Sequence, residues 1–156
     1  MRMSRQSTQT SLQSGFSLIE AMVSLVVVSV GMIGIASLYG QGLGASRTAL
    51  SRTQAVTLAG DMADRIRSNR QGGASFGGVA ANSNCDPGGG VNCTPAQMAA
   101  HDLWGWSNQV AQQLPNGAGT VQYAATVPPT FTIQITWQET GLGAVSYQSI
   151  IRVPPL

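Results

Sequence analysis

The sequence predicts an α+β protein: a long N-terminal α-helix, membrane-spanning in its first half, packed on a small antiparallel β-sheet of about three or four strands. Three observations carry this expectation. From Phe16 to Tyr39 every residue is apolar or small except Glu20; helical spacing of apolar residues then continues to about Arg70; and the C-terminal part changes to a period of two.

The apolar stretch is long enough to cross a bilayer as a helix. A carboxylate one turn into such a segment costs about 2.5 to 3.5 kcal/mol on insertion scales, so Glu20 calls for a partner or a functional reason. The helix is expected to run on past the membrane boundary, because no proline occurs between Phe16 and Asp86. Ala55, Leu58, Ala59, Met62 and Ile66 fall on one stripe that needs a cover, while Asp61 and Arg65 form an exposed i,i+4 pair. From Phe16 to Arg70 such a helix measures roughly 80 Å at 1.5 Å per residue. Glycines at positions 31, 34, 40, 42 and 44 interrupt it, each costing about 1 kcal/mol relative to alanine. Ala36, Gly40 and Gly44 stand four apart, a small-residue face on which another helix can approach closely. That face reads either as a packing seam, able to stretch or melt when helices pack together, or as ordinary glycine tolerance in a membrane helix.

Residues 71 to 84 are rich in Gly, Ala, Ser and Asn and read as a loop. It leads into Cys85 and Cys93, within CDPGGGVNC. Arg2 and Arg5 precede the apolar segment, so positive-inside logic places the N-terminus in the cytoplasm and the cysteines across the membrane, where disulfides persist. A bridge closing so short a loop stabilises the fold by roughly 2 to 3 kcal/mol. A metal site is the alternative, but two thiols need further ligands, and His101 and Asp102 are the only nearby candidates.

A second helix has a clear start. Thr94 is placed to N-cap it, Pro95 occupies the first position and Gln97 completes a capping-box pattern. Ala99, Leu103, Trp106, Val110 and Leu114 follow at helical spacing, and Pro115-Asn116-Gly117 ends the helix. Three strands are expected beyond it. Val121, Tyr123, Ala125 and Val127 alternate with polar or small residues; Phe131, Ile133, Ile135 and Trp137 alternate with Thr and Gln; and a less regular run spans Val145 to Val153. Pro128-Pro129 and residues 139 to 143 join them. The apolar face of this sheet is the obvious cover for the Ala55 to Ile66 stripe.

Composition removes several function classes. The formal charge of +2 belongs to the first fifteen residues; beyond them six arginines balance six acids, which gives no support to nucleic-acid binding. His101 is the sole histidine, and Asp102 beside it points elsewhere on a helix, so a polar helix residue is the simpler account. Trp106 lies on the predicted core stripe, and Trp104 either covers its edge or offers a recognition surface. There is no phosphate-binding glycine motif, nucleophile-base pair or carboxylate cluster, so neither catalysis nor a cofactor is expected.

The N-terminus narrows the rest. A secretory signal peptide places its small cleavage residue after a short apolar region, whereas here Gly15 precedes a long one. A plain signal anchor explains the hydrophobicity but neither the Gly15-Phe16 junction nor Glu20. Gly15-Phe16-Ser17-Leu18-Ile19-Glu20 resembles the type IV prepilin signature, and the long helix laid on a small sheet is what that resemblance also implies. Many family members carry Lys or Arg directly before the glycine and a proline some way into the helix; this chain has Gln13-Ser14 and Ser37. By the resemblance, a prepilin peptidase cuts after Gly15 and methylates Phe16, and Glu20 recognises the terminal amine of a neighbouring subunit. Simple electrostatics agrees, since the cut leaves a cationic amine one turn from an anion in a low dielectric. Residues 63 to 69, residues 102 to 106 and Leu114-Pro115-Asn116-Gly117 are similar to segments of minor pilins of the PilV type, which shifts the expectation from the major fibre subunit to a low-copy one.

The resemblance thus implies a leader over residues 1–15, a transmembrane and assembly half over 16–45, and a periplasmic globular domain over 46–156. It implies as partners the peptidase, other major and minor pilins, the inner-membrane assembly platform and the membrane itself. The chain would reside in the inner membrane before assembly and in a surface pilus afterwards. A pseudopilin of a type II secretion system shares the same leader logic, and a membrane-anchored binding module is the reading from another class.

Overall fold

A computed structural model describes residues 15–86, 88 and 91–154. The leader, apart from Gly15, lies outside the described residues. Helix α1 spans Leu18–Ser68, a 3-10 segment spans Arg70–Gly77, and helix α2 spans Pro95–Gln113. Strands β1 (Ala118–Ala124), β2 (Thr130–Glu139) and β3 (Gly143–Arg152) complete the chain in an antiparallel sheet of order β1-β2-β3. The long helix, through its C-terminal half, packs on this sheet, giving a type IV pilin-like α+β fold. Two compact units divide between Gly42 and Leu43.

In the second unit the core joins the α1 stripe to α2 and to one face of the sheet. Ala55, Leu58, Ala59, Met62, Ala63 and Ile66 are buried from α1; Ala99, Leu103, Trp106 and Val110 from α2; Phe131, Ile133, Ile135 and Trp137 from β2. Fully burying side chains such as Met62 or Ile66 is worth about 1.5 to 3 kcal/mol each. The strand register shows why β3 alternates poorly. Ile151, Ser149, Tyr147 and Val145 stand opposite the four buried β2 residues, so Ile150 falls on the other face and is 62% exposed.

Trp106 organises the contact between helices. Its indole Nε1–H donates to the Leu58 carbonyl at 2.8 Å, while the ring lies against Gly119 of β1, where a Cβ would sit 2.4 Å from the indole Cζ3. Alanines 55, 59 and 63 leave α1 thin along this face, which lets the large ring approach the helix backbone. At the start of α2 the Thr94 hydroxyl accepts from the Gln97 amide at 3.3 Å, and the Gln97 side chain accepts from the Thr94 amide at 2.9 Å. The capping box read from the sequence is therefore formed.

Three expectations change. The stretch after α1 is not open loop: it folds into the 3-10 segment, capped by the Asn69 side chain, and it buries Phe76 completely. A lone large aromatic ring among small residues outweighs their loop preference once it has a core to enter. Strand β1 stops at Ala124, and Val127, expected within it, is fully exposed beside a cis Val127–Pro128 bond. The Asp61–Arg65 pair forms at 3.0 Å, but Arg65 also reaches Asp102 of α2 at 3.1 Å and is partly buried, so it links two helices rather than decorating one.

Candidate assembly segment

The candidate site is the N-terminal part of α1, whose side chains have no tertiary cover among the described residues. Gly15 and Phe16 precede the helix, and Phe16 is 87% exposed. The Ser17 carbonyl accepts the amides of Glu20 and Ala21 at 3.0 and 3.2 Å, closing the first turn. Glu20 therefore stands in that turn, exposed, where the helix dipole favours a negative charge. Leu18, Ile19, Met22, Val23, Leu25, Val26 and the large apolar residues that follow to Tyr39 are more than half exposed.

Two serine hydroxyls of this segment are satisfied within the helix. Ser24 donates its hydroxyl to the Glu20 carbonyl and Ser29 to the Leu25 carbonyl, each at 2.7 Å. Such back-bonding satisfies these two hydroxyl donors in surroundings without water. The segment is long and apolar enough to cross a membrane. After Glu20 the next charge is Arg47. Ala36, Gly40 and Gly44 lie within α1 and are exposed, and a Cβ on Gly40 or Gly44 would meet no atom within 4 Å. Packing among the described residues therefore gives no reason for these glycines.

The remaining candidates are distributed through the second unit. Cys85 and Cys93 are joined in a disulfide. His101, expected to be a polar helix residue, lies in α2 and is buried: its Nε2 lies 3.2 Å from Asp86 next to the disulfide, and its ring stacks on Trp104 at 5.7 Å. The His101 Nδ1 has no hydrogen-bond partner. Asp102 points to Arg65 rather than to the cysteines. Among the described residues no three His, Cys, Asp or Glu side chains are grouped to hold a metal. Trp106 belongs to the core, and Trp104 keeps 37% of its surface exposed.

One charged group was missed by sequence reasoning. Glu139, placed there in a connecting turn, ends β2 with only 6% exposure. Its carboxylate accepts from Arg52 Nε at 3.1 Å and Nη2 at 3.3 Å, and from the Trp137 indole at 3.2 Å. Those hydrogen bonds, and then the carboxylate charge, raise the Arg52 guanidinium above its already high value. The signal was present: Glu139 continues the buried parity of residues 131, 133, 135 and 137.

Comparison with known proteins agrees with this arrangement. Residues 10–36 match the family described as the prokaryotic N-terminal methylation motif. Residues 38–104 match the family described as type IV pilin Tt1218. No curated protein and no solved structure matches the chain.

Proposed function

Because the chain belongs to the type IV pilins, a family of structural subunits, we propose that it is a minor pilin of the PilV type, helping to initiate or modify pilus assembly. The observation that carries this reading is the Gly15-Phe16-Ser17-Leu18-Ile19-Glu20 hexapeptide at the head of an exposed apolar helix. Prepilin peptidase removes residues 1–15 and methylates Phe16. The chain then waits as a single-pass inner-membrane protein, N-terminus inside and globular domain in the periplasm. The assembly platform draws it out, and its helix exchanges lipid for the helices of other pilins in the fibre.

Glu20 sets the register of that exchange. Its carboxylate is the only charge between the new terminus and Arg47, and an isolated charge in an apolar medium is costly until a counter-ion meets it. The terminal amine of a neighbouring subunit supplies that ion, so a misregistered subunit leaves both groups unpaired. Ala36, Gly40 and Gly44 form the seam along which a neighbouring helix approaches.

Mass spectrometry of the mature protein tests the processing directly, with N-methylphenylalanine expected at Phe16 and an unprocessed Met1 terminus counting against the reading. Glu20→Ala should insert into the membrane as well as the wild type or better, yet reach the fibre poorly. Normal incorporation of that variant would refute the role given to the carboxylate. Deletion that stops enzyme secretion while leaving surface fibres intact would assign the chain to a type II secretion system instead.

A further inference from the structure

Trp104, His101 and Asp86 meet at one cavity of the globular unit, about 450 Å³ in volume, which Arg65, Met98 and Asp102 also line. That volume lies in the range of small-ligand sites. Trp104, unlike the core residue Trp106, keeps part of its ring in solvent there. The His101 side chain, only 9% exposed, touches both of the other groups: its ring stacks on Trp104, and its Nε2 meets the Asp86 carboxylate. Its Nδ1 has no hydrogen-bond partner, so Asp86 is the ring's one polar contact among the described residues. Asp86 itself remains 71% exposed. The charges around the cavity are not balanced. Arg65 is held by Asp61 at 3.0 Å and by Asp102 at 3.1 Å, and Asp86 adds a third carboxylate against that single guanidinium. With the imidazole neutral, the surroundings are negative, which disfavours an anionic ligand and favours a cation beside the indole.

We propose that this cavity binds a quaternary ammonium group, with its methyls against the Trp104 ring and its charge beside Asp86. Tryptophan is the strongest aromatic partner for such a cation. The type of cation follows from the acceptors, which are largely committed: Asp102 to Arg65, and one Asp86 oxygen to His101. A primary ammonium brings three N–H donors and would leave hydrogen bonds unmade, whereas a quaternary one has no donor to satisfy. It needs only a negative surrounding and the face of a ring. The trimethylammonium of free choline and that of a choline-bearing lipid head group share this chemistry. The site lies wholly in the globular unit, so it stands or falls apart from the assembly reading.

The test uses the full-length chain in a non-ionic detergent. The probes are choline, its uncharged isostere in which carbon replaces nitrogen, and ethanolamine. Ligand-detected NMR should show choline binding at least about tenfold tighter than either control. Trp104→Ala and Asp86→Asn should each weaken choline binding by about tenfold, and Trp104→Phe, which keeps a ring, by less. Because Asp86 is exposed, its variant reads the site even if Trp104→Ala unfolds the chain. Competition by glycerophosphocholine as strong as by choline would identify a lipid head group as the source of the ligand; competition lost on adding the phosphate would identify the free cation. Equal affinity for the isostere or for ethanolamine, choline binding that survives Trp104→Ala or Asp86→Asn, or no binding up to about 50 mM choline would overturn the site.

Discussion

Residues 18–42 and 43–68 belong to one helix, yet they obey different solvents. In the second part small and medium apolar residues recur on one stripe, and the chain supplies their cover: α2, the 3-10 segment and the sheet. In the first part Leu, Val, Ile and Met surround the helix on all sides and stay exposed among the described residues. An amphipathic stripe is the mark of a helix that meets water on its other face; apolar residues all round mark one that meets lipid or other helices. The second part thus has its cover among the described residues, whereas the first part has none there. The two parts should respond to substitution in opposite ways, one in stability and the other in assembly.

The sharpest challenge to the second part is Trp106→Ala. It removes a fully buried ring and the hydrogen bond to Leu58, and should cost about 3 to 5 kcal/mol. Denaturant unfolding of the detergent-solubilised chain, followed by tryptophan fluorescence from Trp104 and Trp137, measures it. A loss below about 1 kcal/mol would mean that the two helices do not share one core. Next comes the paired replacement Cys85→Ser with Cys93→Ser, which opens a loop with a sequence separation of 8 and should cost roughly 2 to 3 kcal/mol. Reducing agent should lower the wild-type midpoint to that of the double variant and leave the variant unmoved.

Gly119→Ala is expected to be smaller, about 1 to 3 kcal/mol, because the added methyl meets the Trp106 ring at 2.4 Å and one of them must shift. It also checks the comparison from the strand side. Combining it with Trp106→Ala should relieve most of the clash, so the two costs would fall short of additivity.

What the sequence revealed follows the range over which each signal acts. The Ala55 to Ile66 stripe, the Thr94–Gln97 capping box and the alternation of Phe131 to Trp137 are local patterns, and the structure places all of these residues as expected. The misses are pairings between distant residues. Arg52 and Glu139 are 87 positions apart, and only the antiparallel pairing of β2 with β3 and the packing of α1 bring them together. Phe76 is buried although its neighbours are Gly, Ser and Ala, because one aromatic ring gains more from a core than small residues gain from a loop. The sequence marks His101 as a polar helix residue, and its burial brings it against Asp86, next to the disulfide, which no local pattern foretells. The candidate assembly residues are of another kind: Gly15, Phe16 and Glu20 were legible as a contiguous motif, but their proposed partners lie outside the chain.

The smallest expected effect on the isolated chain separates the two parts most cleanly. Gly40 sits in the middle of α1 with open space where a side chain would go, so Gly40→Ala should leave the globular unit's unfolding unchanged and favour the helix by about 1 kcal/mol. Glycine at such a position is a local disadvantage, which a neighbouring backbone that needs the room would explain. Alanine adds a single methyl, which a loose interface absorbs and a close-packed seam does not. If helices meet along Ala36, Gly40 and Gly44, Gly40→Ala will be at least as stable as the wild type, yet enter fibres less well, with Gly40→Val worse again. Equal incorporation of all three would show that this glycine is merely tolerated, and the docking of neighbouring helices would then have to use another face of the same segment.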